Sequence, residues 1–177
     1  MKPALRKFSR ETSGAEIAEA ALVLPLVFMM MLGIFWFGQA FRIHGTLTQA
    51  ARQGVRAGVA PICTTCAGAN NPSGNAFNAV QGALGAAKLD WNNLSQLPTT
   101  PTLLKCSDGT PQTCNPTPTK VCVQENVRLS TVGLGGAGVC GMSVSFQYPY
   151  QFWLPFTSIN MQRIQLPAQA EMREEDR

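Results

Sequence analysis

The stretch AALVLPLVFMMMLGIFWF, residues 20–37, decides the architecture, because it runs for 18 residues without a polar side chain. The uncharged interval is wider still, 22 residues between Glu19 and Arg42. A bilayer core is crossed by about 20 apolar helical residues at roughly 1.5 Å each, so this segment reads as a membrane-spanning helix. A cleaved secretory signal shares the basic start and the small residues of Gly38-Gln39-Ala40. Its apolar core, however, is only about 7–15 residues long, and a retained span is therefore expected. Pro25 would damage an isolated soluble helix, but in a membrane helix neighbours and local adjustment absorb it.

Outside that segment the chain remains poor in charge. Of its 177 residues 14% are charged and 45% hydrophobic, against roughly 25% charged in an ordinary soluble domain. The net charge of +4 is concentrated at the start, where Lys2, Arg6, Lys7 and Arg10 face only Glu11. The remainder holds 10 basic and 9 acidic residues. A basic folded face is thus missing, and nucleic acid is not an expected partner. Four cations before the span favour a cytoplasmic N-terminus, although Arg42, Arg52 and Arg56 follow it. The cysteines, Cys63, Cys66, Cys106, Cys114, Cys122 and Cys140, are even in number and form disulfides only in an oxidising compartment. Together these place the C-terminal part outside the inner membrane, in the periplasm.

Beyond Arg42 the helical period continues, with Ile43, Leu47, Ala50, Ala51 and Val55 on one side and Arg52 and Arg56 on the other. A helix from Ala15 to Val59 would be about 68 Å long. Gly54 and Gly58 form a small-residue stripe with Ala50, whose ordinary meaning is contact with the chain's own globular part. Pro61 ends the helix, and residues 61–75 are rich in turn formers. A second amphipathic helix is expected over Ala76–Leu89, where Phe77, Val80, Leu84 and Ala87 recur at helical spacing. Residues 92–119 read as an irregular connection. Three β segments follow: Lys120–Leu129, Val139–Tyr148, and a stretch alternating through Ile164, Leu166, Ala168, Ala170 and Met172, where Pro167 suits an edge strand. Cys63-x-x-Cys66 reads as a small structural disulfide, lacking thioredoxin context. Cys122 and Cys140 fall in adjacent candidate strands and make the preferred long-range pairing, among the 15 complete pairings six cysteines allow. The expected fold is α+β: a long N-terminal transmembrane helix, a second helix and a small antiparallel sheet, disulfide-stapled.

No cluster for catalysis or metal binding emerges. Residues 133–138 (GLGGAG) match GxGxxG formally, yet a strand-like segment follows and no acidic residue occurs between Glu125 and Glu171, so a hairpin connection is expected instead of a nucleotide site. His44 stands alone beside the span, and Asn93-Leu94-Ser95 is read as a polar turn despite its sequon form. The aromatic run Phe146, Tyr148, Tyr150, Phe152, Trp153 and Phe156 reads first as the core side of the sheet, with a subunit contact as the alternative. Neither enzyme activity nor a cofactor or metal is expected.

Glu19 has two readings on position alone: a carboxylate at headgroup level near a helix N-terminus, where the dipole favours it, or a costly charge at the lip of an apolar span that calls for a named partner. Ser13-Gly14-Ala15-Glu16-Ile17-Ala18-Glu19 sets Gly14 five residues ahead of it, after a basic leader. This resembles the class III leader of type IV pilins. In those proteins a prepilin peptidase cuts after the Gly, which implies a cut between Gly14 and Ala15. Residues 14–58 as a whole resemble the N-terminal signature of TadE-like proteins, the pseudopilins of tight-adherence (Flp) pilus systems. The matching positions are Gly14, Glu19, Leu22-Val23-Leu24-Pro25, Gly33, Phe37-Gly38 and Ala50–Ala57. Tyr148-Pro149-Tyr150, Leu154-Pro155-Phe156 and Met172–Glu175 resemble the family more weakly, and Ala20 departs from its usual aromatic residue. The resemblance implies a leader (1–14), a transmembrane and periplasmic helix (15–60) and a periplasmic α+β domain (61–177). It also implies a minor subunit or initiation component of pilus assembly, whose partners are the inner membrane, the prepilin peptidase and other pilin or pseudopilin subunits. A membrane-anchored adhesin or binding module that never enters a filament is the alternative.

Overall fold

The computed structural model describes residues 12–60, 71–100, 102–114, 120–129, 139–151 and 163–174. Its first element is a single 48-residue helix, α1, Thr12–Val59, which passes through Pro25 without a break. The chain divides into two units, one ending at Ala40 and the other beginning at Phe41.

In the first unit most of the described helix surface is exposed, with Gly33, Trp36 and Ala40 half-buried. Large apolar side chains from Ile17 onward, including Leu22, Phe28, Met29 and Ile34, are exposed. Alone in water, such a surface would be a heavy penalty at roughly 25 cal/mol per Å². Its most apolar 18-residue window has a mean hydropathy of 2.4 with none of it buried, so by length and composition the helix suffices to cross a membrane.

The second unit is built on the rest of α1. Leu47, Ala50, Ala51 and Val55 are fully buried, at the helical spacing expected. They join Ala76, Val80 and Leu84 of helix α2 (Pro72–Ala86) and Val144, Phe146 and Ala168 of the sheet in one core. Gly54 and Gly58 explain the closeness of that packing. A Cβ on Gly54 would lie 2.6 Å from Val80 Cγ2 and 3.2 Å from the Ala76 carbonyl oxygen, and one on Gly58 would strike Met142 Sδ. The small-residue stripe thus serves the chain's own domain. Helix α2 starts four residues before the expected Ala76, because Asn71 caps it by accepting from the Gly74 N–H (2.9 Å) and Pro72 occupies its first turn. It closes with Lys88 N–H on the Gly85 carbonyl and Leu89 N–H on the Leu84 carbonyl, Lys88 being left-handed at φ 58°.

All three expected strands form: β3 (Cys122–Leu129), β4 (Val139–Gln151) and β5 (Arg163–Arg173), antiparallel in the order β3-β4-β5. Met142, Val144, Phe146 and Tyr148 of β4 and Leu166, Ala168, Ala170 and Met172 of β5 pack into the core with the helices, and Gly141 on the other face admits no side chain because a Cβ there would meet the Met172 carbonyl oxygen. A bulge sits between Gln124 and Val127, with Asn126 at φ 50°. Asn is among the residues that tolerate this conformation best. Pro149 and Pro167 both lie inside strands, and β5 is an edge strand as its Pro167 led us to expect.

The stretch 92–119 is less irregular than expected. It contains a small hairpin, β1 (Leu103–Leu104) with β2 (Pro111–Gln112), turned at Asp108-Gly109, where Gly109 has φ 68°. The cysteine pairing also differs. Cys106 pairs with Cys140 and Cys114 with Cys122 at disulfide distance, their Cα atoms 6.0 and 5.5 Å apart. The expected Cys122–Cys140 bridge is excluded by register, because Cys122 lies opposite Ser145 and Cys140 opposite Arg128. The two are thus five residues apart along β4, roughly 17 Å, where a disulfide needs Cα atoms within about 7 Å. Cys63, Cys66, Pro61 and the glycines of 133–138 lie outside the described residues, although 130–138 join two antiparallel neighbours, β3 and β4.

Candidate membrane anchor and processing site

Three groups of α1 residues compose the candidate site. At the N-terminal end Gly14 is exposed, with open space where a Cβ would stand. Glu16 and Glu19 follow on the same helix, both exposed. The bond between Gly14 and Ala15 lies in the first described turn of α1. The basic residues Lys2, Arg6, Lys7 and Arg10 lie outside the described residues.

The second group is the apolar surface. Ala20, Val23, Leu24, Val27, Phe28 and Met31 line a shallow groove with almost no polar surface. Pro25, Gly33 and Gly38 lie on the helix, and neither glycine has an atom within 4 Å of where a Cβ would stand. They contrast with Gly54 and Gly58, which the domain fills. Two glycine pairs in one helix are thus used differently: the later pair packs the chain's own core, and the earlier pair leaves its surface open.

The third group begins where charge returns. Arg42, Arg52 and Arg56 are exposed on the helix, and His44 is exposed with its carbonyl accepting from Thr48 Oγ1 at 2.9 Å. Among the described residues no cluster of three metal-binding side chains occurs, around His44 or elsewhere.

Elsewhere the structure offers little chemistry. A cleft of about 330 Å³ lies between the first turns of α2 and the start of β3, lined by Asn71, Gly74, Phe77, Gln112, Cys114 and Val123. Of its lining residues, Cys114 is paired with Cys122, and the Ser73 hydroxyl donates to Asn71 Oδ1 at 3.1 Å. Phe146 is fully buried and Tyr150 is 7% exposed, so this part of the aromatic run belongs to the core side of the sheet. Burial raises the Tyr150 hydroxyl above its ordinary pKa. Phe152, Trp153 and Phe156 lie outside the described residues. Asp108 is held below the usual carboxylate range, chiefly because its carboxylate accepts the Thr110 N–H in the hairpin turn.

Fold and site together define a class: an α+β domain carried on a helix able to anchor it in a membrane by a single pass. Within that class the N-terminal segment is specific, for residues 14–56 match the family model of TadE-like proteins. The match begins at Gly14, takes in Glu19, Pro25, Gly33 and Gly38, and ends at Arg56, which is the region whose residues carried the resemblance. No curated protein and no solved structure matches the chain. Sequence reasoning found the long apolar helix and the family resemblance carried by its N-terminal part. It missed the cysteine pairing and the hairpin, whose one visible signal was Asp108-Gly109.

Proposed function

We propose that this protein is a TadE-like pseudopilin that takes part in assembling tight-adherence (Flp) pili, as a minor subunit or initiation component and not as an enzyme. The observation that carries the reading is the TadE-like match over residues 14–56, which coincides with an apolar helix surface that the chain itself leaves uncovered. In this reading the leader holds the N-terminus on the cytoplasmic side, and a prepilin peptidase removes it after Gly14. The helix stores the protein in the inner membrane with its disulfide-stapled domain in the periplasm. Cleavage creates a positive amine at Ala15. That amine neutralises a carboxylate such as Glu19 on an adjacent subunit, offsetting part of the cost of burying each charge. The helix then exchanges lipid for the apolar helices of other pilin or pseudopilin subunits.

The test is the mature N-terminus, read by intact mass and N-terminal sequencing in strains with and without prepilin peptidase. A start at Ala15 that depends on the peptidase supports the reading, and an unchanged Met1 in both strains refutes it. Gly14→Ala and Glu19→Ala should each abolish pilus assembly while leaving the protein in the membrane. An anchored adhesin would tolerate both.

A further inference from the structure

We propose that the outer edge of β5 matches a second copy of itself and is kept from pairing by Pro167. The register fixes which backbone groups point outward. Gln147 exchanges both of its backbone hydrogen bonds with Ser95, at 2.8 and 3.0 Å, on the side of β4 away from β5. Its β5 partner, Pro167, therefore sits in a non-hydrogen-bonded pair. By alternation, the backbone groups of Arg163, Gln165, Pro167, Gln169 and Glu171 all point away from β4. Among the described residues no strand lies on that side, and the side chains of all five are exposed.

An edge of this length is a template for another strand. Laid antiparallel against itself about a two-fold axis through Pro167, this one is self-complementary. Arg163 faces Glu171 of the second copy at both ends, and Gln165 faces Gln169. On the opposite face Ile164, 46% exposed, comes beside Ala170, and Leu166 beside Ala168. Opposite charges directly across a strand pair are favourable. Shifting the register by two residues loses this match: it sets Arg163 against Arg173 and Glu171 against Gln165 in one direction, and Arg163 against Gln169 in the other. The matched register is the one that places two prolines at the dyad. Both central N–H donors are then missing, and each ring projects where the neighbouring carbonyl oxygen would sit. The position costs the monomer nothing, since the absent N–H would have pointed outward. A protein gathered on a membrane at high local density gains by such a block, because its edges would otherwise meet frequently. This inference rests on the sheet alone and is independent of any role in a filament.

The experiment is sedimentation equilibrium of the full chain in detergent. Pro167→Thr and Pro167→Val should each tighten self-association at least tenfold over the unaltered protein, with the fold retained by circular dichroism. Adding R163E sets two carboxylates across the interface and should reverse most of that gain. Adding E171R to R163E restores opposite charges and should restore the dimer. The proposal is overturned if both Pro167 variants fold and associate no more than the unaltered chain. It is equally overturned if their association ignores the charge exchange, or if the unaltered protein already dimerises with slowed amide exchange at Gln165 and Gln169.

Discussion

The six glycines of α1 fall into two kinds, four with open space where a Cβ would stand and two, Gly54 and Gly58, against which the domain packs, and that difference can be measured. Gly58→Ala adds about 1 kcal/mol of helix propensity, but its methyl would strike Met142 and approach the Pro72 carbonyl oxygen at 3.2 Å. A net loss of about 1–2 kcal/mol in urea unfolding is expected, typical of an overfilled core. Gly33→Ala and Gly38→Ala meet open space and should leave that unfolding curve unchanged. Lys88 gives the opposite sign. It holds a left-handed conformation at the end of α2, where glycine is the usual residue, so Lys88→Gly should stabilise the domain by about 0.5–1 kcal/mol. Asp108 adds a pH dependence. Its folded pKa is depressed below 3.8, so its contribution is present above that value and is lost as the pH falls through the lower, folded one. Asp108→Asn should flatten that acid limb in unfolding curves taken between neutral pH and about pH 2. At this scale the sequence was legible where a residue type has one common use, as for Pro167 on an edge strand, and the helix start at Asn71-Pro72 was missed because those residues sit among turn formers. It was opaque at Lys88, whose conformation follows from where the helix must stop.

Among elements, periodicity decided what could be foreseen. The long segment of α1 and the strands β3, β4 and β5 repeat their apolar residues often enough to be recognised, whereas β1 and β2 have two residues each and therefore no period at all. The cysteine pairing was out of reach for a related reason. Adjacent strands do not guarantee adjacent cysteines, and only the register, with its bulge between Gln124 and Val127, shows Cys122 and Cys140 to be far apart. The observed pairs give a graded expectation. Cys106 and Cys140 are 34 residues apart in sequence, Cys114 and Cys122 only 8. Loop-closure entropy grows as the logarithm of that length, so removing the longer link should cost about 1 kcal/mol more than removing the shorter. Paired Cys→Ser variants compared in chemical denaturation would show it, and equal losses would mean that local packing outweighs chain entropy.

For the whole molecule, the low charge that marks the sequence divides into two causes. Among the described residues no side chain up to Ala40 is buried in the core, whose first fully buried side chain is Leu47. The helix's apolar surface there is therefore maintained for contacts outside the chain, with lipid or with other helices. Beyond Phe41 the apolar residues are consumed by the domain, where two helices and a three-stranded sheet close one core. Folding and anchoring should then be separable. A chain beginning at Phe41 should fold without detergent, keep both described cysteine pairs, and unfold within about 0.5 kcal/mol of the full chain, since every fully buried apolar side chain among the described residues lies beyond Phe41. The converse change, Val27→Asn together with Met30→Lys, should release the full-length protein from membranes while leaving the near-ultraviolet spectrum of the domain intact. A polar or charged group in the centre of a span costs up to about 3 kcal/mol each. If the shortened chain proved unfolded, residues 12–40 would be supporting the domain in a way their exposure does not suggest. The division between a helix that belongs to the membrane or assembly and a domain that stands alone would then have to be abandoned.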